Sequence, residues 1–148
     1  MSESAALYDK DFYSWLAENA KLLRGGRVAE IDVMNLAEEL ESMGKSEKRA
    51  LLSRLTVLLV HLLKWQFQPP RRSRSWQNTL RVQRLDINDL LADSPSLRYA
   101  IGDRIESVYE KAKLLAEEET GIEKSHFPLQ CPYSLEQMLD TGFLPDED

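Results

Sequence analysis

The chain has 148 residues, of which 43% are hydrophobic and 30% charged, with a formal net charge of −6. Those proportions lie near the globular average and exclude wholesale disorder, a collagen repeat and a disulfide scaffold. The single cysteine, Cys131, cannot form an internal bridge and fits a reducing compartment.

The start, MSESAALYDKDFYSW, has no apolar signal core, so no secretion signal is read there. Leu7, Phe12, Trp15, Leu16, Ala20 and Leu23 recur near helical spacing and predict a first helix over Leu7–Arg24, ended by Gly25-Gly26. Asp32 is read as the N-cap of a second helix over Val33–Met43, which Gly44 stops. Ser46 then caps a third helix, running to about Phe67 and ended by Pro69-Pro70. Its leucines, from Leu51 to Leu63, form so wide a stripe that other elements must surround it. That stretch is broken by Ser53, Arg54 and His61 and is too short to span a bilayer.

A fourth helix starts near Ser73 or Ser75 and runs to about Ala92, with Trp76, Leu80, Ile87 and Leu91 on one face. Ser94-Pro95 opens a fifth helix, which contains Gly102 and closes at Gly121. Pro128, Pro132 and Pro145 mark an extended tail, in which Ser134 caps a short helix over Leu135–Asp140. Period-2 alternation is absent, so no strand is expected. The fold class expected is therefore all-α: a single-domain bundle of about five main helices over residues 1–122, followed by a tail over 123–148. Phe127, Leu129, Tyr133, Leu135, Met138, Phe143 and Leu144 make this tail too apolar to be free, so it is expected to pack on the bundle or on a second copy.

Charge is strongly segregated along the chain. Residues 1–44 hold four basic and nine acidic residues, residues 45–84 hold ten basic and one acidic, and residues 85–148 hold five basic and fifteen acidic. The basic centre is either an anion-binding surface or a partner for the acidic flanks. With an acidic total, internal pairing is favoured.

Three stretches occur together: YDKDFYSWL, NLAEELESMGKSEKRALLSRLTVLLVHLLKWQFQP and RRSRSWQNTLRVQR, with CPYSLEQML and GFLP in the tail. On HLLKWQFQP followed by RRSRSW, the chain resembles the bacterial family catalogued as domain of unknown function 29 over nearly its full length. The resemblance implies a small all-helical protein, found mainly in cyanobacteria and proteobacteria, and supplies no activity. It points to Glu38, Glu39, His61, Lys64, Trp65, Arg71, Arg74 and Trp76 as candidates.

Motifs for catalysis are missing. There is no P-loop, GxGxxG, CxxC or GxSxG, and no nucleophile is marked as a partner for His61 or His126. A metal site would draw on Glu38, Glu39 and His61, but at about 100° per residue Glu38 falls opposite the apolar stripe and Glu39 and Glu41 on its two flanks. No metal and no cofactor are expected. Gln83 projects into the apolar face of the fourth helix and Arg84 to its edge. These two are expected to face Glu39 and His61 in a polar network that fixes helix register.

The basic loop gives the binding candidates Arg71, Arg72, Arg74 and Arg81, with Trp65 and Trp76 nearby for stacking or cation–π contacts. At least two of these arginines are expected to pair with internal carboxylates, leaving nucleic-acid binding weak and non-specific. The reading is a cytoplasmic, non-enzymatic interaction or assembly module, with a protein partner or self-association and no membrane. The alternative is a metal-dependent or nucleic-acid-associated protein using Glu38, Glu39, His61 or the Arg71–Arg74 loop.

Overall fold

The computed structural model describes residues 3–146. Seven α-helices follow one another among the described residues: α1 (Glu3–Lys10), α2 (Phe12–Arg24), α3 (Val33–Phe67), α4 (Arg74–Asp93), α5 (Leu97–Gly102), α6 (Ile105–Thr120) and α7 (Leu135–Leu139). Short 3-10 turns cover Val28–Glu30, Pro69–Arg71 and Lys124–His126. No strand occurs among the described residues. Residues divide into two compact units, one ending at Glu47 and one beginning at Lys48. Residues 123–146 fall in the unit that begins at Lys48.

Three helix boundaries differ from the sequence reading. The expected Leu7–Arg24 helix begins at Glu3 and is two helices. Asp11 leaves helical geometry at φ −152°, and its side chain accepts from Ser14 N at 3.1 Å and from Ser14 Oγ at 2.8 Å. That cap restarts the chain as α2.

Gly44 does not stop the second helix, and Ser46 is no cap. Both lie inside α3, a continuous helix of 35 residues. An exposed glycine costs a helix about 1 kcal/mol relative to alanine but does not end it unless the chain turns left-handed. Gly121 does turn, at φ 77°, and ends α6; Gly44 keeps a negative φ. The expected fifth helix breaks after Gly102 and resumes at Ile105, with Arg104 N bonding Ile101 O at 2.9 Å.

In the N-terminal unit, α1 packs on α2, and the centre is Trp15, fully buried. Its indole donates to Asp32 Oδ2 at 2.8 Å. Asn19 receives Asp32 N at 3.0 Å and donates to Ser4 Oγ at 2.8 Å, so two helices and the start of α3 share one buried polar cluster. Asp32 also accepts from Asn35 N and Asn35 Nδ2, which is how it caps α3. Burial raises the Asp32 pKa, and the hydrogen bonds from Asn35 and Trp15 lower it by more, so its carboxyl titrates below the usual range.

A group whose pKa is lower folded than unfolded stabilises the fold above its unfolded pKa and loses that contribution as pH falls through the folded value. The N-terminal unit should therefore loosen in acid. Asp32→Ala should destabilise it by about 1–3 kcal/mol, through the stranded Trp15 indole. Trp fluorescence during urea unfolding at neutral pH checks this.

In the C-terminal unit, the second half of α3 is the core. Leu51, Leu55, Leu58, Leu59, Leu62 and Leu63 are almost wholly buried against Leu80 and Ile87 of α4, Ile101 of α5, and Tyr109, Ala112 and Ala116 of α6. By length and composition α3 is apolar enough to cross a membrane, yet 56% of its most apolar window is buried within the protein.

The residues after Gly121 complete this core. Phe127, Tyr133, Met138 and Leu139 are buried in the same cluster. Tyr109 Oη donates to Pro128 O at 2.6 Å and Lys113 Nζ to Leu129 O at 3.1 Å.

Candidate functional site

The last turns of α3 bring His61, Lys64 and Trp65 onto neighbouring positions, at i, i+3 and i+4. Pro69 and Pro70 cannot continue the helix, so the chain makes the Pro69–Arg71 turn and restarts at α4, capped by Ser73, whose hydroxyl accepts from Trp76 N at 3.2 Å. This reversal brings Arg72 onto the Trp65 ring, while Lys64 lies over Trp76.

Arg72 folds back on the end of α3. Its Nε donates to Trp65 O at 2.8 Å, satisfying a carbonyl at the helix C-terminus, and its guanidinium lies 5.0 Å from the Trp65 ring centroid. Its Nη2 is buried and has no hydrogen-bond partner within the protein. Lys64 Nζ lies 5.1 Å from the Trp76 ring centroid and 3.7 Å from Glu119 Oε2 of α6.

The expected pairing of the arginines does not occur. Among the described residues, ion pairs use Arg27, Arg54, Lys64, Lys113 and Lys124, and none of Arg71, Arg72, Arg74 or Arg81 is in one. Three carboxylates of the acidic segment pair with other cations: Asp86 with Arg54 at 2.8 Å, Glu110 with Lys113 and Lys124, and Glu119 with Lys64. Arg71, Arg74 and Arg81 are exposed. Arg74 opens α4, whose first turn holds no acid, so cations gather at the positive end of a helix. That arrangement is unfavourable alone and is relieved by an anion.

Among the described residues, Arg84 and Gln83 bond partners other than His61. Arg84, placed at the edge of α4 by projection, is 1% exposed, and Gln83 is the half-buried neighbour. Arg84 donates to Met138 O at 2.8 Å and to Gln137 O at 3.2 Å, and Asn88 donates to Leu139 O. Two residues of α4, at i and i+4, thus cap the C-terminus of α7. Burial lowers the Arg84 pKa, with Asp140 acting against it. Gln83 Oε1 lies 3.5 Å from Arg54 Nη1. His61 Nδ1 bonds Val57 O at 2.9 Å.

Glu39 belongs to the N-terminal unit, where it accepts from the Tyr8 hydroxyl. That bond, then burial and the charges of Glu39, Glu38 and Asp9, push the Tyr8 pKa up to about 12. Glu38 is exposed. Among the described residues, no three of His, Cys, Asp and Glu stand together as a metal site would need.

The residues missed from sequence are Asn88 and Lys113, and Arg84 was named with other partners than the carbonyls it bonds. Leu80, Arg84, Ile87 and Leu91 follow i, i+4, i+7, i+11, so the arginine occupies a core position of α4 and its spacing was the available signal. Cys131 is half-buried, and burial first, with Glu106 adding and the Tyr133 carbonyl opposing, raises its thiol pKa. It stays a thiol at neutral pH.

The model of one family, described as Domain of unknown function DUF29, matches residues 7–144. The chain belongs to the DUF29 family. No curated protein and no solved structure matches it. The DUF29 match spans α2 to α7 and so takes in the arginine–tryptophan corner and the tail that caps it into the core.

Proposed function

We propose that this protein is a non-enzymatic interaction module whose arginine–tryptophan corner captures an acidic segment of a protein partner. The observation that carries this reading is that Arg71, Arg72, Arg74 and Arg81 have no carboxylate partner among the described residues, although the chain carries an excess of acids. Arg72 adds a buried, unpartnered guanidinium nitrogen, and the first turn of α4 adds backbone N–H groups. Arginine forks bind carboxylates in pairs, and tryptophan beside arginine is the usual composition of an interface hot spot.

A short acidic segment fits better than nucleic acid. A long polyanion leaving the corner meets residues 85–148, which hold fifteen acids against five bases. The unpaired thiol of Cys131 fits a reducing cytoplasm.

The test is anisotropy of a fluorescein-labelled peptide containing a run of glutamates around one phenylalanine, at 0.05 and 0.5 M salt. Saturable binding should weaken at the higher salt and fall at least tenfold in Arg71→Ala/Arg74→Ala, two exposed positions whose loss leaves the melting curve in place. A single-stranded RNA that binds more tightly than the peptide overturns the choice of partner. Equal binding by the double variant overturns the site.

A further inference from the structure

We propose that a second site, a cleft between α3 and α6, binds a small aliphatic amine in its ammonium form. Val57, Val60 and His61 lie at i, i+3 and i+4 on α3. Leu115, Glu118 and Glu119 repeat that spacing on α6. The two strips enclose about 360 Å³, within the size range of small-ligand clefts.

The chemistry of the lining selects the ligand. Val57, Val60 and Leu115 form an apolar floor, and the first and last of them are partly open to solvent. Every polar side chain in the cleft is an acceptor. Glu118 and Glu119 bring carboxylates. His61 Nδ1 must carry its proton, because the Val57 carbonyl it bonds at 2.9 Å can only accept; neutral imidazole then leaves Nε2 as a bare lone pair. Burial lowers the His61 pKa, with Lys64 acting the same way and the Val57 bond and Glu119 opposing, so the ring is neutral at neutral pH.

A ligand for this cleft has to supply donors, positive charge and hydrocarbon together. An alkylammonium does so: three N–H donors for Glu118, Glu119 and His61, and a chain of a few carbons for the floor. An alcohol lacks the charge, and a carboxylate meets two like charges. Lys64, 3.7 Å from Glu119, already shows an ammonium at one edge of this lining.

The test uses hexylammonium chloride, with hexanol and hexanoate as probes of the same chain length, followed through the His61 ring resonances by NMR at pH 7.5. Hexylammonium should shift those resonances saturably, hexanol should bind at least tenfold more weakly, and hexanoate should not bind. Glu118→Gln/Glu119→Gln, at exposed positions, should bind hexylammonium at least tenfold more weakly with an unchanged melting curve. Hexanol binding as tightly as hexylammonium, no shift at His61, or an unaffected double variant overturns the proposal. Arg71 and Arg74 do not line the cleft, so this result is independent of the acidic-peptide titration.

Discussion

Cutting the chain after Ile122 should unfold the C-terminal unit rather than trim it. The segment removed carries Phe127, Tyr133, Met138 and Leu139, all buried in the same cluster as the α3 leucines. Each large apolar side chain taken out of water contributes about 1.5–3 kcal/mol. Losing four approaches the whole stability of a typical domain, about 5–15 kcal/mol. The cut also strands polar groups, since Tyr109 and the ammonium of Lys113, whose side chain is 3% exposed, would lose the carbonyls of Pro128 and Leu129. The expected result is loss of cooperative thermal unfolding and strong binding of a hydrophobic dye. A sharp melt with no dye binding would show that the tail is dispensable.

Arg84→Met should be the most damaging single polar-to-apolar change in the C-terminal unit. Methionine preserves much of the side-chain volume, so the variant isolates the loss of the two hydrogen bonds to Met138 O and Gln137 O. Those carbonyls end α7, a helix of five residues, and the turn after it bonds Phe143 N to Asp140 O rather than to them. Each of the two stranded acceptors, one buried and one part-buried, costs up to about 1–3 kcal/mol, giving about 2–6 kcal/mol in all. For a unit of this size that corresponds to roughly 10 °C or more in melting temperature. Arg84→Lys should fall between the two, because lysine keeps the charge but cannot fork between two carbonyls. A melting temperature unchanged in Arg84→Met would mean that the tail is held by its apolar side chains alone.

Helix identity was legible where periodicity and a strong stop coincided. Pro69-Pro70 ended α3 as read, because proline removes a donor whatever the surroundings, and of the two serines near which α4 was expected to start, Ser73 is the cap. Glycine was the unreliable sign. Gly121 ends its helix through a left-handed turn, whereas Gly44 stays helical, and nothing local to the sequence separates the two. Asp11 was the reverse case: an acid inside an apolar period, its capping role visible only once its side chain had bonded Ser14.

The site divided along the same line. Trp65, Trp76 and the arginine run were nameable from sequence because their spacing around two prolines is local. The partners were not. That Arg54 of α3 takes Asp86 of α4, while the loop arginines have no carboxylate partner among the described residues, depends on which helices meet. Net charge by segment carries no such information. Arg84 was placed at the edge although it shares the spacing of Leu80, Ile87 and Leu91, because a lone cation has no reason within its own helix to be buried. What draws it inward is a row of carbonyls more than fifty positions away in sequence, supplied by α7.

Capture of an acidic segment by the arginine–tryptophan corner is tested by a nitrogen-resolved NMR titration of the labelled protein with the acidic peptide, following arginine Nε and tryptophan indole signals. Arg72 Nε is held by the Trp65 carbonyl and should give a sharp resonance. Saturable shifts are expected at Arg72 Nε and at the Trp65 and Trp76 indoles, with the Trp15 indole, bonded to Asp32 in the N-terminal unit, unmoved. Shifts confined to Trp15, or no shift at the arginine–tryptophan corner while the peptide is bound, would contradict it.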